Sequence, residues 1–466
     1  MGNRVIWPKS DADKGVACAL AIQQLAQHPA DAAVEVPLVH NGLYARTDAL
    51  IPLSPGHYVL QETKASSFPL KDDKTTPGKP ESHHLDDVAI QAWVMANAGL
   101  SMARAELKLL DGQWRYPGTG DYGGLFRALD VTELIAPRVA LVPGWLQSAS
   151  DIVALPDMPA ATIGPQCKKP QACPYMDKCR KLEPPPLEHP LTLLPDVGGK
   201  ALAKKLAVFG FKSLLEPQRK LLIGTDPKRS ELYQRIQLAH QTGKFILNPG
   251  ARDVIDALPH PRYFFDFEGI DLAIPVWKGV RAYEQVCFQW SCHIQREADG
   301  PFEHASFLDL TGTDPSLACI EAMKLAIGDD AGPILVYFAT YERGRLKEMA
   351  QRHPEHAAVL EGWIERLVDL LPIVKEHFYD PVMAGSFSIK KVLKAVAPQL
   401  DYSQLEEVQE GTGAQIAYLE AAFDPNVTLE RKAQICERLT FYCRLDTWAM
   451  VVVAYFLARR MLPAMP

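Results

Sequence analysis

A proline-rich stretch, EPPPLEHP at residues 183–190, interrupts this chain of 466 residues. Proline lacks a backbone N–H and clashes with the preceding helical turn, so neither a helix nor an inner strand can run through such a stretch. The length also exceeds what one ordinary hydrophobic core accommodates. The chain must therefore fold as more than one domain, with a boundary at this linker.

Composition defines the class of protein and limits its partners. A hydrophobic content of 47% and a charged content of 23% are typical of a globular protein. The net charge of −7 argues against bulk electrostatic attraction for nucleic acid, which would require local basic patches, backbone amides or metal ions instead. No apolar run reaches membrane-spanning length and the first residues lack the apolar core of a signal peptide, so we expect a cytoplasmic protein without a membrane partner.

Three segments differ in their patterns. Residues 1–182 mix strands and helices and end in a cysteine-bearing loop, and residues 191–250 are helical and rich in lysine. Residues 255–466 alternate apolar strands with long amphipathic helices, which is typical of an α/β domain. We therefore predict a multidomain α/β protein with three regions.

The strand RYFFDFEGID, residues 262–271, carries two carboxylates inside an apolar run. Strand alternation places Asp266 and Glu268 on one face, and Phe265 and Phe267 on the other. Two neighbouring carboxylates at a core edge are costly unless a cation compensates them, and such oxygen ligands suit Mg²⁺ or Mn²⁺. The alternative is a strand end that turns into solvent.

Further acidic residues follow in order. The apolar strand PILVYFA runs into a helix that carries Glu342, and Tyr442 and Asp446 share a face of the predicted helix at 438–460. Four carboxylates could bind two metal ions about 4 Å apart, which activates water in phosphodiester cleavage. Tyr442 would orient the water or help to deprotonate it. Ser386 and Lys390, near a helix start, would contact a phosphate, although an ordinary helix cap is the alternative there.

The order of these motifs resembles the proofreading-type 3′→5′ exonucleases of the ribonuclease H-like superfamily, the DEDD group of tyrosine subtype. FYCRLD resembles the third exonuclease motif of that group. The resemblance implies a mixed sheet flanked by helices and a catalytic set made of Asp266, Glu268, Glu342, Tyr442 and Asp446. The chain departs at the second motif, where Phe338 and Glu342 replace the usual Asn and Asp. More broadly, residues 260–460 resemble an uncharacterised bacterial domain family that is usually fused behind a second nuclease-like region.

The segment YARTDALIPLSPGHYVLQETKASS, residues 44–67, predicts a β-hairpin. Asp48 precedes the turn, while Glu62 and Lys64 follow it and share one face. These residues, with Gln91 on the next helix, resemble the PD-(D/E)XK nuclease core of the RecB-like branch. The resemblance implies that Asp48 and Glu62 hold Mg²⁺ or Mn²⁺, that Lys64 positions water or phosphate, and that Gln91 contacts nucleic acid. An ordinary ion-paired strand is the alternative.

The loop CKKPQACPYMDKC places Cys167, Cys173 and Cys179 close together in sequence. Gathered thiolates in a cytoplasmic protein indicate a metal or iron–sulfur site. The pattern resembles RecB-like nucleases with a [4Fe-4S] cluster, in which a fourth cysteine comes from the start of the domain. Cys18 is the upstream candidate, with a buried structural cysteine as the alternative. Zinc is the alternative metal.

The segment TLLPDVGGKALAKKLAVFGFKSLLE, residues 192–216, predicts a helix, a Val-Gly-Gly turn and a second helix. It resembles a helix-hairpin-helix unit, which implies that Gly198, Gly199 and Lys200 contact a DNA phosphate. The alternative is a plain α-hairpin that joins two domains.

Together these patterns predict a metal-dependent nuclease in which the C-terminal domain is a 3′→5′ exonuclease. The expected partner is nucleic acid, with DNA favoured, and DNA repair and phage defence are both open as roles. One alternative is a nucleic-acid-binding protein whose nuclease sites are partly degenerate. Another is a phosphodiesterase that acts on nucleotides.

Overall fold

The computed structural model describes residues 4–5, 14–73, 75–159, 161–185, 187–400, 411–461 and 465. The chain divides into two compact units, each with its own sheet. The first unit comprises Met1–Pro184 and Leu272–Glu284, and the second comprises Pro185–Asp271 and Gln285–Pro466. Both units combine strands and helices, so the multidomain α/β class is confirmed.

The first unit is built on a six-stranded mixed sheet. Its strands are β1 (Arg4–Val5), β2 (Ala33–His40), β3 (Leu43–Ser54), β4 (His57–Ser67), β5 (Ser101–Leu110) and β6 (Phe126–Asp130). Its helices are α1 (Lys14–Gln27), α2 (Ser82–Asn97), α3 (Thr132–Val139), α4 (Val142–Val153) and α5 (Met176–Arg180). The strands lie in sequence order, with β1–β2 and β4–β5 parallel and the other neighbours antiparallel.

The β-hairpin predicted at residues 44–67 is confirmed. β3 and β4 pair antiparallel, with Leu50 opposite Leu60, and Gly56 in the turn has φ +80°, which glycine adopts without steric cost. Leu50 and Leu60 are buried against Val88 of α2 in one core cluster. The predicted helix with Gln91 is α2, which therefore lies against the strands of the hairpin.

The second unit contains the remaining elements. Its strands are β7 (Ile246–Leu247), β8 (Arg262–Asp271), β9 (Gln285–Gln295), β10 (Phe302–Leu308), β11 (Ile334–Val336), β12 (Leu367–Asp369) and β13 (Phe378–Tyr379). Its helices are α6 (Asp196–Val208), α7 (Pro227–Thr242), α8 (Gly250–Asp256), α9 (Ser316–Ile327), α10 (Thr340–Arg352), α11 (Ala357–Glu365), α12 (Leu370–His377), α13 (Ile389–Val396), α14 (Gly411–Phe423) and α15 (Leu429–Leu457).

A five-stranded sheet in the order β10-β9-β8-β11-β12 forms the centre of the second unit. β8 pairs antiparallel with β9 and parallel with β11. Phe265 and Phe267 enter a core with side chains of α9, α10 and α11, while α15 covers the opposite face of β8 and β9. Because β8 is central and covered on both faces, the alternative that Asp266 and Glu268 mark a solvent-exposed strand end is wrong.

The predicted Val-Gly-Gly turn is also wrong. Gly198 and Gly199 lie in the first turn of α6, and only a 3₁₀ turn (Leu191–Leu193) precedes that helix. A Cβ atom at Gly199 would come within 2.7 Å of the Leu194 carbonyl carbon, so the glycine permits close packing at the helix start. The glycines therefore serve packing rather than a turn between two helices.

The segment predicted as a middle region, residues 191–250, belongs to the second unit. β7 pairs antiparallel with β13 in a separate two-stranded sheet. On α7, His240 Nε2 lies 3.0 Å from the Tyr379 hydroxyl, and Arg235 donates a hydrogen bond to the Lys375 carbonyl at 2.6 Å. These contacts make α7 part of the C-terminal fold.

In the described ranges, no helix combines the length and the apolar character needed to cross a membrane. This holds for α15 too, which has 29 residues but carries charged side chains along its first half.

Candidate metal centre

Three carboxylates meet on one face of the central sheet of the second unit. Asp266 and Glu268 come from β8 and Asp446 comes from α15, and one ligand oxygen of each lies within 4.8 Å of the others. They line a cavity of about 330 Å³. Carboxylate oxygens at this spacing are the ligands that divalent cations such as Mg²⁺ and Mn²⁺ prefer. The acidic triad could therefore hold a divalent metal.

Glu342 adds a fourth carboxylate beside the triad. It lies in the first turn of α10, is 2% exposed, and accepts a hydrogen bond from Asp266 when Asp266 is protonated. Its Oε2 atom is buried and has no hydrogen-bond partner among the residues that the structure describes. An unpaired buried oxygen is costly, and a cation beside Asp266 would satisfy it. The predicted place of Glu342, on a helix directly after an apolar strand, is confirmed.

Burial and mutual repulsion raise the pKa values of the acidic side chains. Burial, with a further contribution from Asp446, raises the pKa of Glu268 to about 8. Burial likewise raises the pKa of Glu342 to about 8. Burial and the nearby Asp446 carboxylate raise the pKa of Asp266 well above its usual range. The site therefore retains protons at neutral pH unless a cation replaces them.

Tyr442 lies one helical turn before Asp446 on α15 and lines the same cavity. Burial raises the pKa of its hydroxyl, and Asp446, to which the hydroxyl donates a hydrogen bond, raises it further. Lys390 donates a hydrogen bond to the Tyr442 oxygen at 3.2 Å. The cavity therefore contains Tyr442 beside the acidic triad, and its two predicted roles, orienting the water and helping to deprotonate it, stay predictions.

Asp369 fixes the backbone that leads to Glu342. Its carboxylate accepts hydrogen bonds from the backbone N–H groups of Phe338 at 2.9 Å and Ala339 at 3.0 Å, and it also caps α12 through the N–H of Leu371 at 2.9 Å. Phe338 has φ +76°, which is rare for a bulky residue. Its side chain does not line the acidic cavity.

Further polar side chains line the acidic cavity, and the sequence had not indicated them. They are Gln285 at the start of β9, Tyr337 and Tyr341 around the start of α10, and Gln415 of α14. Gln415 donates a hydrogen bond to the Gly269 carbonyl at 3.0 Å. Tyr337 and Tyr341 are four residues apart, but Gln285 and Gln415 lie far from them along the chain, so only the fold brings the four side chains together.

In the first unit, the structure brings together the four residues that the hairpin and the following helix had indicated, which are Asp48, Glu62, Lys64 and Gln91. Gln91 donates a hydrogen bond to Glu62 at 2.8 Å, and Lys64 donates one to the other Glu62 oxygen at 2.6 Å. Asp48 accepts a hydrogen bond from the backbone N–H of Thr63 at 2.6 Å. This cluster lies where β3, β4 and α2 meet.

Asp87 is a fifth member of this cluster that was not predicted. It lies one helical turn before Gln91 on α2, accepts a hydrogen bond from Gln91 at 3.1 Å, and forms an ion pair with Lys64. The spacing of four residues from Gln91 was the available signal. Burial lowers the pKa of Lys64, but its hydrogen bonds with Asp87 and Glu62 outweigh burial and raise it. Charged Lys64 therefore compensates the carboxylates that it contacts.

The cysteine residues do not form the predicted cluster. Cys167, Cys173 and Cys179 are partly exposed and free, and among the described residues only the acidic triad forms a group of three or more close metal ligands. Cys18 is buried in the core of the first unit, where its sulfur accepts a hydrogen bond from the Val39 N–H at 3.3 Å. The alternative reading of Cys18 as a structural core cysteine is therefore confirmed.

Residues 263–388 match a protein family described as a domain of unknown function (DUF2779). The match includes Asp266, Glu268 and Glu342 and ends before α15. No curated protein and no solved structure matches the chain. The match is consistent with the C-terminal domain of unknown function that the resemblance implied.

Proposed function

We propose that the second unit is a metal-dependent 3′→5′ exonuclease that hydrolyses the phosphodiester bonds of nucleic acid, with DNA as the favoured substrate. The observation that carries this proposal is the convergence of Asp266, Glu268 and Asp446 within 4.8 Å in one cavity. The buried, unpartnered oxygen of Glu342 beside them supports a cation at the same place. We include in the proposal a ribonuclease H-like fold of the DEDD type, which the mixed sheet flanked by helices supports.

The residues of this cavity suit hydrolysis of a terminal phosphodiester. Divalent ions, when bound, supply Lewis acidity and a water molecule of lowered pKa. The Tyr442 hydroxyl donates its proton to Asp446, and its oxygen can accept a hydrogen bond from the attacking water and so orient it. Lys390 places its ammonium group within hydrogen-bonding distance of Tyr442, where it can also contact a phosphate oxygen of the substrate. A cavity of about 330 Å³ is within the range of small-ligand sites and suits one nucleotide.

A second nuclease centre in the first unit, of the PD-(D/E)XK type, belongs to the same proposal. The contacts of Glu62 with Lys64 and Gln91 support it. Lys64 already compensates Glu62 and Asp87 there, so we assign this centre the smaller share of activity. We do not include a metal or iron–sulfur cluster at the cysteine loop in the proposal. In the described part of the chain, the thiols of Cys167, Cys173 and Cys179 do not form a group of three close ligands.

The test uses purified protein and single-stranded DNA, double-stranded DNA and RNA labelled at the 5′ end, with Mg²⁺, Mn²⁺ or EDTA. We expect stepwise shortening from the 3′ end that requires the metal and is lost in Asp446→Asn. The matched control is Glu437→Gln, which removes an exposed carboxylate on the same helix. Unchanged shortening in Asp446→Asn would contradict the proposal. Hydrolysis of nucleotide esters without any shortening of the polymers would instead indicate a nucleotide phosphodiesterase.

A further inference from the structure

A second cavity, of about 630 Å³, adjoins the acidic cavity in the second unit. Tyr337 and Ile389 line both cavities, so the two share a wall. The Tyr337 hydroxyl donates a hydrogen bond to the Phe387 carbonyl at 2.7 Å, which fixes this shared wall. The second cavity therefore lies directly beside the acidic cavity.

An exposed aromatic ring stands at this second cavity. Phe338 lines it and is 54% exposed, although large apolar side chains are usually buried. Its backbone has φ +76°, a conformation that L residues rarely adopt, and two hydrogen bonds from the N–H groups of Phe338 and Ala339 to Asp369 hold it there. Strained backbone that the surroundings hold in place is often found at binding sites. The consequence here is a fixed aromatic surface beside the acidic cavity.

Cationic and hydroxyl groups line the same cavity. Lys200 comes from α6 and Lys375 from α12, and Ser386 lies on the loop before α13. Lys375 forms an ion pair at 3.0 Å with Asp196, which also lines the cavity and partly compensates its charge, so Lys200 supplies the cation that is not compensated within the described part of the chain. Lysine and hydroxyl groups contact phosphates, whereas an exposed aromatic ring stacks on a base. This combination is the one that proteins use to bind single-stranded nucleic acid.

We infer that this cavity, lined by Lys200, Phe338, Lys375 and Ser386 and called here the strand groove, holds the unpaired nucleotides that precede the scissile bond, with one base stacked on Phe338. The inference rests on the proposed exonuclease function and adds its substrate class, a single-stranded 3′ end. A base inside a duplex is stacked between its neighbours and has no face available for Phe338. The groove therefore selects unpaired ends.

A comparison of two substrates tests the groove separately from the metal centre. Thymidine 5′-(p-nitrophenyl phosphate) has no nucleotide before its scissile bond, whereas a single-stranded oligonucleotide extends into the strand groove. In Phe338→Ala we expect KM for the oligonucleotide to rise about tenfold, the order associated with the loss of one stacked base. Hydrolysis of the small ester should not change. Phe338→Trp should keep the affinity for the oligonucleotide, and Phe338→Gly should lose it even though glycine tolerates the backbone conformation.

The control is Phe209→Ala, which removes an exposed phenylalanine of the same unit that lines neither cavity. Equal effects of Phe338→Ala on both substrates, or no effect on either, would overturn the inference. Binding of an oligonucleotide with 2-aminopurine near its 3′ end, measured in EDTA, gives a readout without turnover. Fluorescence quenching that is lost in Phe338→Ala supports the strand groove, whether or not the protein hydrolyses the substrates. If the protein binds the oligonucleotide in this way but hydrolyses neither substrate, only the proposed exonuclease function fails. Absence of quenching in the unmodified protein would overturn the groove itself.

Discussion

Asp266 of β8 and Glu342 of α10 lie side by side, and burial raises the pKa values of both carboxyl groups well above the ordinary range. Two acids in this arrangement hold a proton between them unless a cation takes its place. The stability of the second unit should therefore depend on both pH and metal.

Without metal, the protein should lose stability as the pH rises. Glu342 has a pKa of about 8 when folded and an ordinary value of 4.5, so the folded state binds more protons over this interval. The contribution of Glu342 to the free energy of unfolding is then fully present below about pH 4.5 and is lost as the pH rises to about 8. Thermal unfolding in EDTA at several pH values measures this. Glu342→Gln should show a smaller decrease, and an equal decrease in both proteins would contradict the assignment.

Removing one acid of the triad should abolish metal binding without harming the fold. In Asp266→Asn we expect a melting temperature in EDTA that is no lower than that of the unmodified protein, because repulsion among the carboxylates is relieved. The increase in melting temperature caused by Mn²⁺, which reflects binding to the folded state, should disappear. Glu437→Gln is the control that should retain it. A full Mn²⁺ response in Asp266→Asn would show that the ion binds elsewhere.

Loss of the Tyr442 hydroxyl should slow the reaction and leave metal binding intact. We expect Tyr442→Phe to lower kcat by about a hundredfold, the order associated with poor positioning of a reacting group. The pH–rate profile should keep its shape, because burial raises the pKa of the Tyr442 hydroxyl above its ordinary value. Single-turnover rates at several pH values provide the measurement. Disappearance of a basic limb in the variant would instead show that Tyr442 titrates during catalysis.

Gly199 should tolerate no side chain. A Cβ atom there would lie 2.7 Å from the Leu194 carbonyl carbon, so we expect Gly199→Ala to destabilise the protein by about 1–3 kcal/mol. Gly344 on α10 is the matched control, since a Cβ atom at that position would have no neighbour within 4 Å. Gly344→Ala should stabilise the helix by about 1 kcal/mol. Chemical denaturation compares the two, and similar effects would contradict the packing role of Gly199.

The two proposed nuclease centres should differ in activity. We expect Asp446→Ala to remove most hydrolysis and Glu62→Ala to remove little, because Lys64 already compensates the acidic residues of the first unit. Time courses on end-labelled linear DNA and on circular DNA separate the two activities. Cleavage of circular DNA that survives Asp446→Ala and vanishes in Glu62→Ala would reverse this ranking.

Local periodicity was enough to predict which catalytic candidates share a face. Strand alternation paired Asp266 with Glu268, and helical spacing paired Tyr442 with Asp446, because both periods depend only on neighbouring residues. The β-hairpin around Gly56 was likewise predictable from its turn residues. These features required no knowledge of what packs against each element.

Only the tertiary structure decided how these pairs combine. The sheet order placed β8 at the centre, where α10 and α15 bring Glu342 and Asp446 to the carboxylates of β8. Packing also overturned two local expectations. Gly199 lies at the start of a helix against the backbone of Leu194 and not in a turn between two helices. Cys18 lies in the core of the first unit and not with the other cysteines. Local sequence determines which side chains point the same way, whereas long-range packing determines which of them meet.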